Sequence, residues 1–318
     1  MFKIYEPPKD GELHYFKQYH QYGKKKRDFN FNSKIFCQLI RTITQMNLQM
    51  PFGSHPLYPC TEEEKLAIRK EVGIKDNILQ EDIDSILDWF YKEPHLADAF
   101  IDRDYVERML VATRCSREKC KKKINNFYRY RSCAPELVQT RIKELSNPDY
   151  DPWLFYSQAA MLKLFNGKRI SVFKVTDADP GNFHSDIVFK ITILLGELRL
   201  KYDYMLGDIW ILDLLNASIG HVLRINLTLA QKFARILQDG TGIKLYDIHI
   251  VNASSLSQHL VNLFKPFVKS KIMERIRFHE SIEELQKVIP KQYLPKDFGG
   301  DQPSLDEFKG IASIILNC

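Results

Sequence analysis

No apolar run in this 318-residue chain approaches the roughly 20 residues that cross a bilayer. The opening MFKIYEPPKDGELHYF is too polar for a secretory signal. Phosphate-cradling loops are missing: there is no G-x-x-x-x-G-K-[ST] and no G-x-G-x-x-G. There is no G-x-S-x-G nucleophile elbow. The nine histidines never pair with Cys, Glu or another His at metal-ligand spacing. Six cysteines (Cys37, Cys60, Cys115, Cys120, Cys133, Cys318) are scattered without a C-x-x-C, so free thiols are expected rather than a disulfide framework. The expectation is a cytoplasmic, monomeric protein that is not an enzyme and needs no metal or cofactor.

Charge is concentrated at one end. Residues 1–55 carry nine Lys/Arg against four Asp/Glu, so nearly all of the +6 formal charge sits there. The remainder is close to neutral, which argues against an extended nucleic-acid footprint. KCKKKINNFYRYR (119–131) sets its cations opposite an apolar stripe and reads as a solvated helix face. Residues 1–58 read as an extension without sustained period, with a basic run at Lys24–Arg27 and one candidate helix from Ile35 to Met50.

From Thr61 the pattern becomes helical. Thr61 and Glu64 form a capping box, and Ile83, Ile86, Leu87 and Phe90 share one helical face. Helices are also predicted over Asp104 to Ala112 and from Ser116, the latter with Cys120, Ile124, Phe127 and Tyr128 on one side. After Pro148 and Pro152 strands alternate with helices. KRISVFKV (168–175), GDIWILDLLNA (207–217) and LYDIHIVNA (245–253) read as strands. Helices are expected over Ser185–Tyr204 and Asn226–Gln238 and from Ser254, and Ser281-x-x-Glu284 caps another. The fold class is α/β, with a helical N-terminal lobe before a mainly parallel, buried sheet. His249 and Asp213, inside apolar strands, are read as hydrogen-bonded core groups rather than catalytic ones.

Three apolar faces stand out. Phe189, Thr192, Ile193 and Gly196 share one helix face, Trp210, Leu212 and Leu214 one strand face, and Phe233, Ile236 and Leu237 another helix face. They fit either a packed core or a cavity wall. The segment 254–264 puts Leu256, Leu260, Leu263 and Phe264 on one side and ends at Pro266. Then Lys265, Lys269, Lys271, Arg275 and Arg277 interleave with large apolar residues. An apolar face beside a basic flank suits a surface that meets lipid.

LFKPFVKSKIMERIRFH (263–279) with YLPKDFGG (293–300) resembles the CRAL-TRIO (Sec14-like) lipid-binding family, on the α-tocopherol transfer protein and cellular retinaldehyde-binding protein branch. ADPGNF (178–183), the helix 185–200, GDIWILDLLN and DIHIVN extend the resemblance over about 240 residues. It implies an extension over 1–58, a helical lobe over 59–147, a lipid-binding domain over 148–305 and a tail over 306–318. It also implies flanking helices and a gated apolar cavity. Carried over by position, the cavity residues are Phe189, Thr192, Ile193, Gly196, Leu212, Phe233, Ile236, Leu237 and Leu245. The gate is 254–268, with Leu256, Leu260, Leu263 and Phe267 turned inward.

A phosphoinositide site is implied at Lys244, Lys271 and Arg275, with Tyr246 where the branch has a fourth cation. Ile243 replaces the headgroup glutamate of phosphatidylinositol exchangers, and Gly196 stands where the tocopherol-binding relatives have serine. A ligand hydroxyl or carbonyl then needs another partner, for which Thr192 is the candidate. The implied partners are one small lipophile and, transiently, anionic membranes, with no nucleic acid. The implied function is binding and intermembrane transfer of that lipophile. The alternative is a non-transferring lipid or phosphoinositide sensor that recruits a protein.

Overall fold

In the computed structural model, residues 58–97, 99–138, 154–253 and 256–308 are described. The basic run Lys24–Arg27, the helix from Ile35 to Met50, Cys37, Cys318 and the gate's first residues Ser254 and Ser255 lie outside them.

The helical lobe begins where its capping box predicts. Thr61 Oγ1 accepts from the Glu64 amide at 3.1 Å, and Glu64 Oε2 accepts from the Thr61 amide at 2.8 Å. This opens α1 (Glu62–Val72), which stops at Gly73 with φ +77°, a conformation that favours glycine. Next come α2 (Asp76–Phe90), α3 (Arg103–Ala112) and α4 (Arg117–Cys133), then a short α5 (Pro135–Val138). Ile83, Ile86 and Phe90 of α2 pack with Val106 and Met109 of α3 and with Cys120 and Ile124 of α4. Leu200, from beyond the lobe, completes that cluster and joins the lobe to the sheet unit.

The second unit is a five-stranded sheet in the order β1-β2-β3-β4-β5. β1 (Tyr156–Ala160) runs antiparallel to β2 (Lys168–Val175). The long α6 (Ser185–Tyr202) crosses over to β3 (Gly207–Asp213). Then α7 (Ile219–Leu223), α8 (Leu227–Arg235) and a π-turn (Ile236–Gly240) lead to β4 (Leu245–Val251). The last elements are α9 (Ser257–Phe264), α10 (Ser270–Met273), β5 (Ile276–His279) and α11 (Ile282–Gln286). β2 to β5 pair in parallel. Alternation along the strands splits the sheet into two faces. Ile170, Val172, Ile209, Ile211 and Val251 form one core with Leu285, Ile289, Leu294 and Phe298. Phe173, Trp210, Leu212, Ile248 and Ile250 lie on the other face, against α6 and the segments after β4.

Some sequence expectations shift. Strands β1 and β5 are not among them, because five- and four-residue segments are too short to declare a period. Ser281 makes no side-chain cap, and Glu284 Oε2 accepts instead from the Glu280 amide at 2.9 Å. The helix expected over 226–238 is regular only to Arg235 and then widens into the π-turn. Phe308, placed in a tail, is buried in the core beneath the sheet. Cys60, Cys115, Cys120 and Cys133 are free, and burial pushes the thiols of Cys60 and Cys120 up to about 12, which makes them poor nucleophiles. No described helix is long and apolar enough to cross a membrane.

His249 is buried on the face away from the cavity, and its Nδ1 lies 2.8 Å from Nε2 of His279. Burial first, then repulsion from His279, pulls the His249 imidazole down to about 4, and burial lowers His279 as well. Asp247 and Glu284 oppose these shifts, while Arg277 reinforces them. An unfolded chain takes up these protons near the ordinary histidine value of about 6.5. The native state therefore binds fewer protons between there and about 4, and stability should fall as pH falls through that window. Urea midpoints at pH 7.5, 6 and 5 should decline stepwise, and His249→Gln should flatten the decline. An equal slope in that variant would clear the pair of this role.

Candidate functional site

A cavity of about 680 Å³ lies between the inner sheet face, α6, α8 and the segment after β4. That size falls within the range of pockets that enclose a small organic ligand. Phe189, Thr192 and Gly196 line it from α6 at i, i+3 and i+7. Trp210, Leu212 and Leu214 line it from β3 and its end, and Phe233 and Leu237 from α8 and the π-turn. A Cβ built on Gly196 would meet nothing within 4 Å, so the missing side chain is part of the open volume. The wall is braced by aromatic pairs. Phe189 stacks on Phe233 at 4.4 Å, and Phe173 meets Trp210 at 4.8 Å.

Leu245 reaches the cavity through a backbone irregularity. Asp208 pairs with Leu245 but Ile209 pairs with Asp247, leaving Tyr246 as the extra residue of a bulge. The bulge resets the alternation, so Leu245, Ile248 and Ile250 all face the cavity. Seven of the nine cavity positions taken from the sequence therefore line it. Ile193 and Ile236 do not. Ile193 sits about 100° around α6 from Thr192 and packs on Ala134 and Leu137 of the helical lobe. Ile236, at the junction of α8 and the π-turn, is buried in the same cluster.

The segment expected to act as a gate lines one side of the cavity, in a different register from the one predicted. Leu260, Val261, Phe264 and Val268 line the cavity. Of Leu256, Leu260, Leu263 and Phe267, Leu260 alone does so. Leu256 is buried at the helix entry, and Leu263 and Phe267 are half-buried elsewhere. The sequence stripe assumes one continuous helix from 254, whereas α9 begins at Ser257 and ends at Phe264. Gln238 of the π-turn fastens the far end: its Nε2 donates to Phe267 O at 3.0 Å, and its Oε1 accepts from the Lys269 amide at 2.8 Å.

Lys244, Lys271 and Arg275 line the same cavity, and none of the three has an ion-pair partner among the described residues. Arg275 is tied down by a hydrogen bond to Leu245 O. Tyr246 presents its ring face to two lysines. Lys244 Nζ sits 3.9 Å from its centroid and Lys168 Nζ 4.8 Å. The helical lobe adds three solvent-exposed cations at the edge. Arg114, Lys119 and Lys122 also line the cavity. Beside them Lys123 donates to Gln238 O at 2.7 Å and Thr241 O at 3.1 Å, and burial pulls its ammonium down to about 8. Lys119 and Lys122 lie at i and i+3 on one polar face of α4 and stay exposed at the edge of the cavity, as the solvated-face reading expects. The result is an apolar chamber with a cationic end. Among the described residues no group of three His, Cys, Asp or Glu is placed to hold a metal ion.

Residues 165–300 match the CRAL/TRIO domain family. The chain carries a CRAL/TRIO domain. Its strands β2 to β5, α6 to α11 and the gate all fall inside that stretch. The chain is similar to mouse (Mus musculus) "Alpha-tocopherol transfer protein-like", 24% identical over 287 residues, covering 87% of this chain and 82% of that one. Its human (Homo sapiens) counterpart is 25% identical over 261 residues, covering 79% and 74%. "Clavesin-1" of Pongo abelii is 24% identical over 246 residues, covering 75% and 68%. The crystal structure of Sfh5 aligns over 92% of this chain and 100% of its own at 12% identity and TM-score 0.38, too distant to add to the CRAL/TRIO assignment.

Proposed function

We propose that the chain binds one small lipophile in the chamber and carries it through the cytosol between membranes, without chemistry on it. The observation that carries this reading is the partly open apolar volume beside a short, bounded helical segment, with cations at one end. Exposing apolar surface to water costs about 25 cal/mol per Å². A chamber removes that cost in transit, and its walls here are mainly apolar, with Phe, Leu, Ile and Trp side chains among them. The names of the tocopherol-transfer-like relatives support a lipid ligand of this kind.

Release needs a state that a membrane stabilises more than water does. Anionic headgroups, phosphoinositides among them, would bind the cations Lys244, Lys271 and Arg275 and favour the open gate. An apolar rim assists docking. Leu215 and Leu223 are 65% and 79% exposed, with Ile219 and Leu227 nearby, and α7 packs against α9 of the gate. Lys271→Ala/Arg275→Ala should slow transfer to phosphoinositide-containing vesicles about tenfold or more, at ~1 kcal/mol per cation near an anionic surface. Lipophile binding in solution should be unchanged, and added salt should slow the native protein towards the variant. A transfer rate equal to the native one would remove the cationic end from the mechanism.

A further inference from the structure

The chamber is not uniformly apolar. Tyr156 of β1, Gln158 of β1 and Thr192 of α6 meet on its wall. Thr192 Oγ1 donates to Gln158 Oε1 at 2.9 Å, and the Tyr156 hydroxyl donates to the same oxygen at 3.0 Å. The two hydroxyl oxygens are 3.3 Å apart. A carboxamide oxygen has two lone pairs, so Oε1 is fully used. Nε2 of Gln158 then keeps its two N–H groups, and it meets no acceptor among the described residues. Burial pushes the Tyr156 phenol up against the opposing bond from Thr192, so the cluster is neutral at physiological pH.

Three other polar groups on the wall are already committed. Asp208 is closed by Arg199, by Ser171 at 3.0 Å and by Trp210 Nε1 at 2.7 Å. Asp213 takes Asn252 Nδ2 at 2.9 Å, the Leu215 amide at 3.1 Å and Lys174 at 3.5 Å. Ser185 Oγ bridges Arg224 O and the Asn226 amide. Gln158 alone among these offers donors that the described residues leave unmatched. The hydroxyl oxygens beside it retain lone pairs for a proton coming from a ligand.

We infer that Gln158, held by Tyr156 and Thr192, selects lipophiles that end in a neutral oxygen, an alcohol or a carbonyl, over hydrocarbons of the same length. The inference rests on the chamber being a ligand site, and it names the ligand's chemical class. It also gives Thr192 a positioning role: its hydroxyl holds the carboxamide that makes the contact. A charged headgroup is not suited to this wall, because the nearby Arg199 is already paired with Asp203 and Asp208.

Displacement of diphenylhexatriene, a hydrocarbon fluorophore, tests this on the full chain. Octadecan-1-ol and octadecane, both delivered from cyclodextrin, compete for the bound probe. The native protein should prefer the alcohol by about fivefold or more, the effect of one net hydrogen bond. Gln158→Leu and Gln158→Met should still bind the fluorophore and show the two competitors within about twofold of each other. No preference in the native protein, or a preference that survives both substitutions, would overturn the inference and leave the chamber intact as a ligand site. Failure of the fluorophore and of both competitors to bind the native protein would sink the chamber reading and this inference together.

Discussion

Arg169→Ala is expected to cost about 3–5 kcal/mol of stability, the range for breaking a buried ion pair by removing one partner. Arg169 is fully buried. Its guanidinium donates to Asp203 at 2.8 Å, to Met161 O at 3.1 Å, to Leu162 O at 2.5 Å and to Pro59 O at 3.0 Å. Asp203 also accepts from Arg199 Nε at 3.1 Å, and Arg199 continues to Asp208. The chain of charges thus ties the β1–β2 loop, the end of α6 and the entry to the helical lobe together. Burial works against ionising Asp203, but Arg169 and Arg199 outweigh it and hold its carboxyl below the usual range. Without Arg169, one arginine must serve two buried carboxylates. A fall of roughly 10 °C in Tm is expected, with the urea slope preserved. Arg169→Met with Asp203→Leu should recover much of the loss, because the unpaired charge is gone. A single-variant change below about 1 kcal/mol would contradict the network's role.

Gly196→Phe is expected to abolish most lipophile binding while the chain stays folded. The position is open: a Cβ there touches nothing within 4 Å. It lies on the chamber wall one turn from Thr192. A phenyl ring that displaces about 100 Å² of ligand contact costs about 2.5 kcal/mol at 25 cal/mol per Å², roughly a 70-fold loss of affinity. Gly196→Ala should separate the two consequences. It removes the glycine penalty inside α6 and should stabilise the protein by about 1 kcal/mol, with only a small loss of binding. If Gly196 is instead packing against a neighbour, both substitutions will destabilise. Thermal melts alongside diphenylhexatriene titrations distinguish these results.

Much of this chamber could be read from the chain. Periodicity alone finds the Phe189, Thr192, Gly196 face and the Trp210, Leu212, Leu214 face, because long helices and buried strands repeat often enough to show a period. It leaves them open as core or cavity, since both demand the same apolar stripe. Where it fails, the backbone departs from regular winding. The gate register is lost to a helix that starts at Ser257, and β5 to a strand of four residues. Three-dimensional proximity is invisible as well. Nothing in sequence places Lys123 beside Lys271, or Tyr156 and Gln158 beside Thr192. The resemblance to the CRAL-TRIO family supplies Leu245, which no simple alternation selects because the bulge at Tyr246 resets it.

The first measurement to make is the content of the chamber. The full chain is purified from a eukaryotic host and extracted with organic solvent, and the extract is analysed by mass spectrometry against protein concentration. A carrier should release close to one equivalent of a single lipophile ending in an alcohol or carbonyl, and Gly196→Phe should release little. An extract without lipophile, from a protein that also fails to take up retinoid, tocopherol or phospholipid from vesicles, would contradict transport. The wall of Phe189, Leu212 and Phe233 would then be ordinary core.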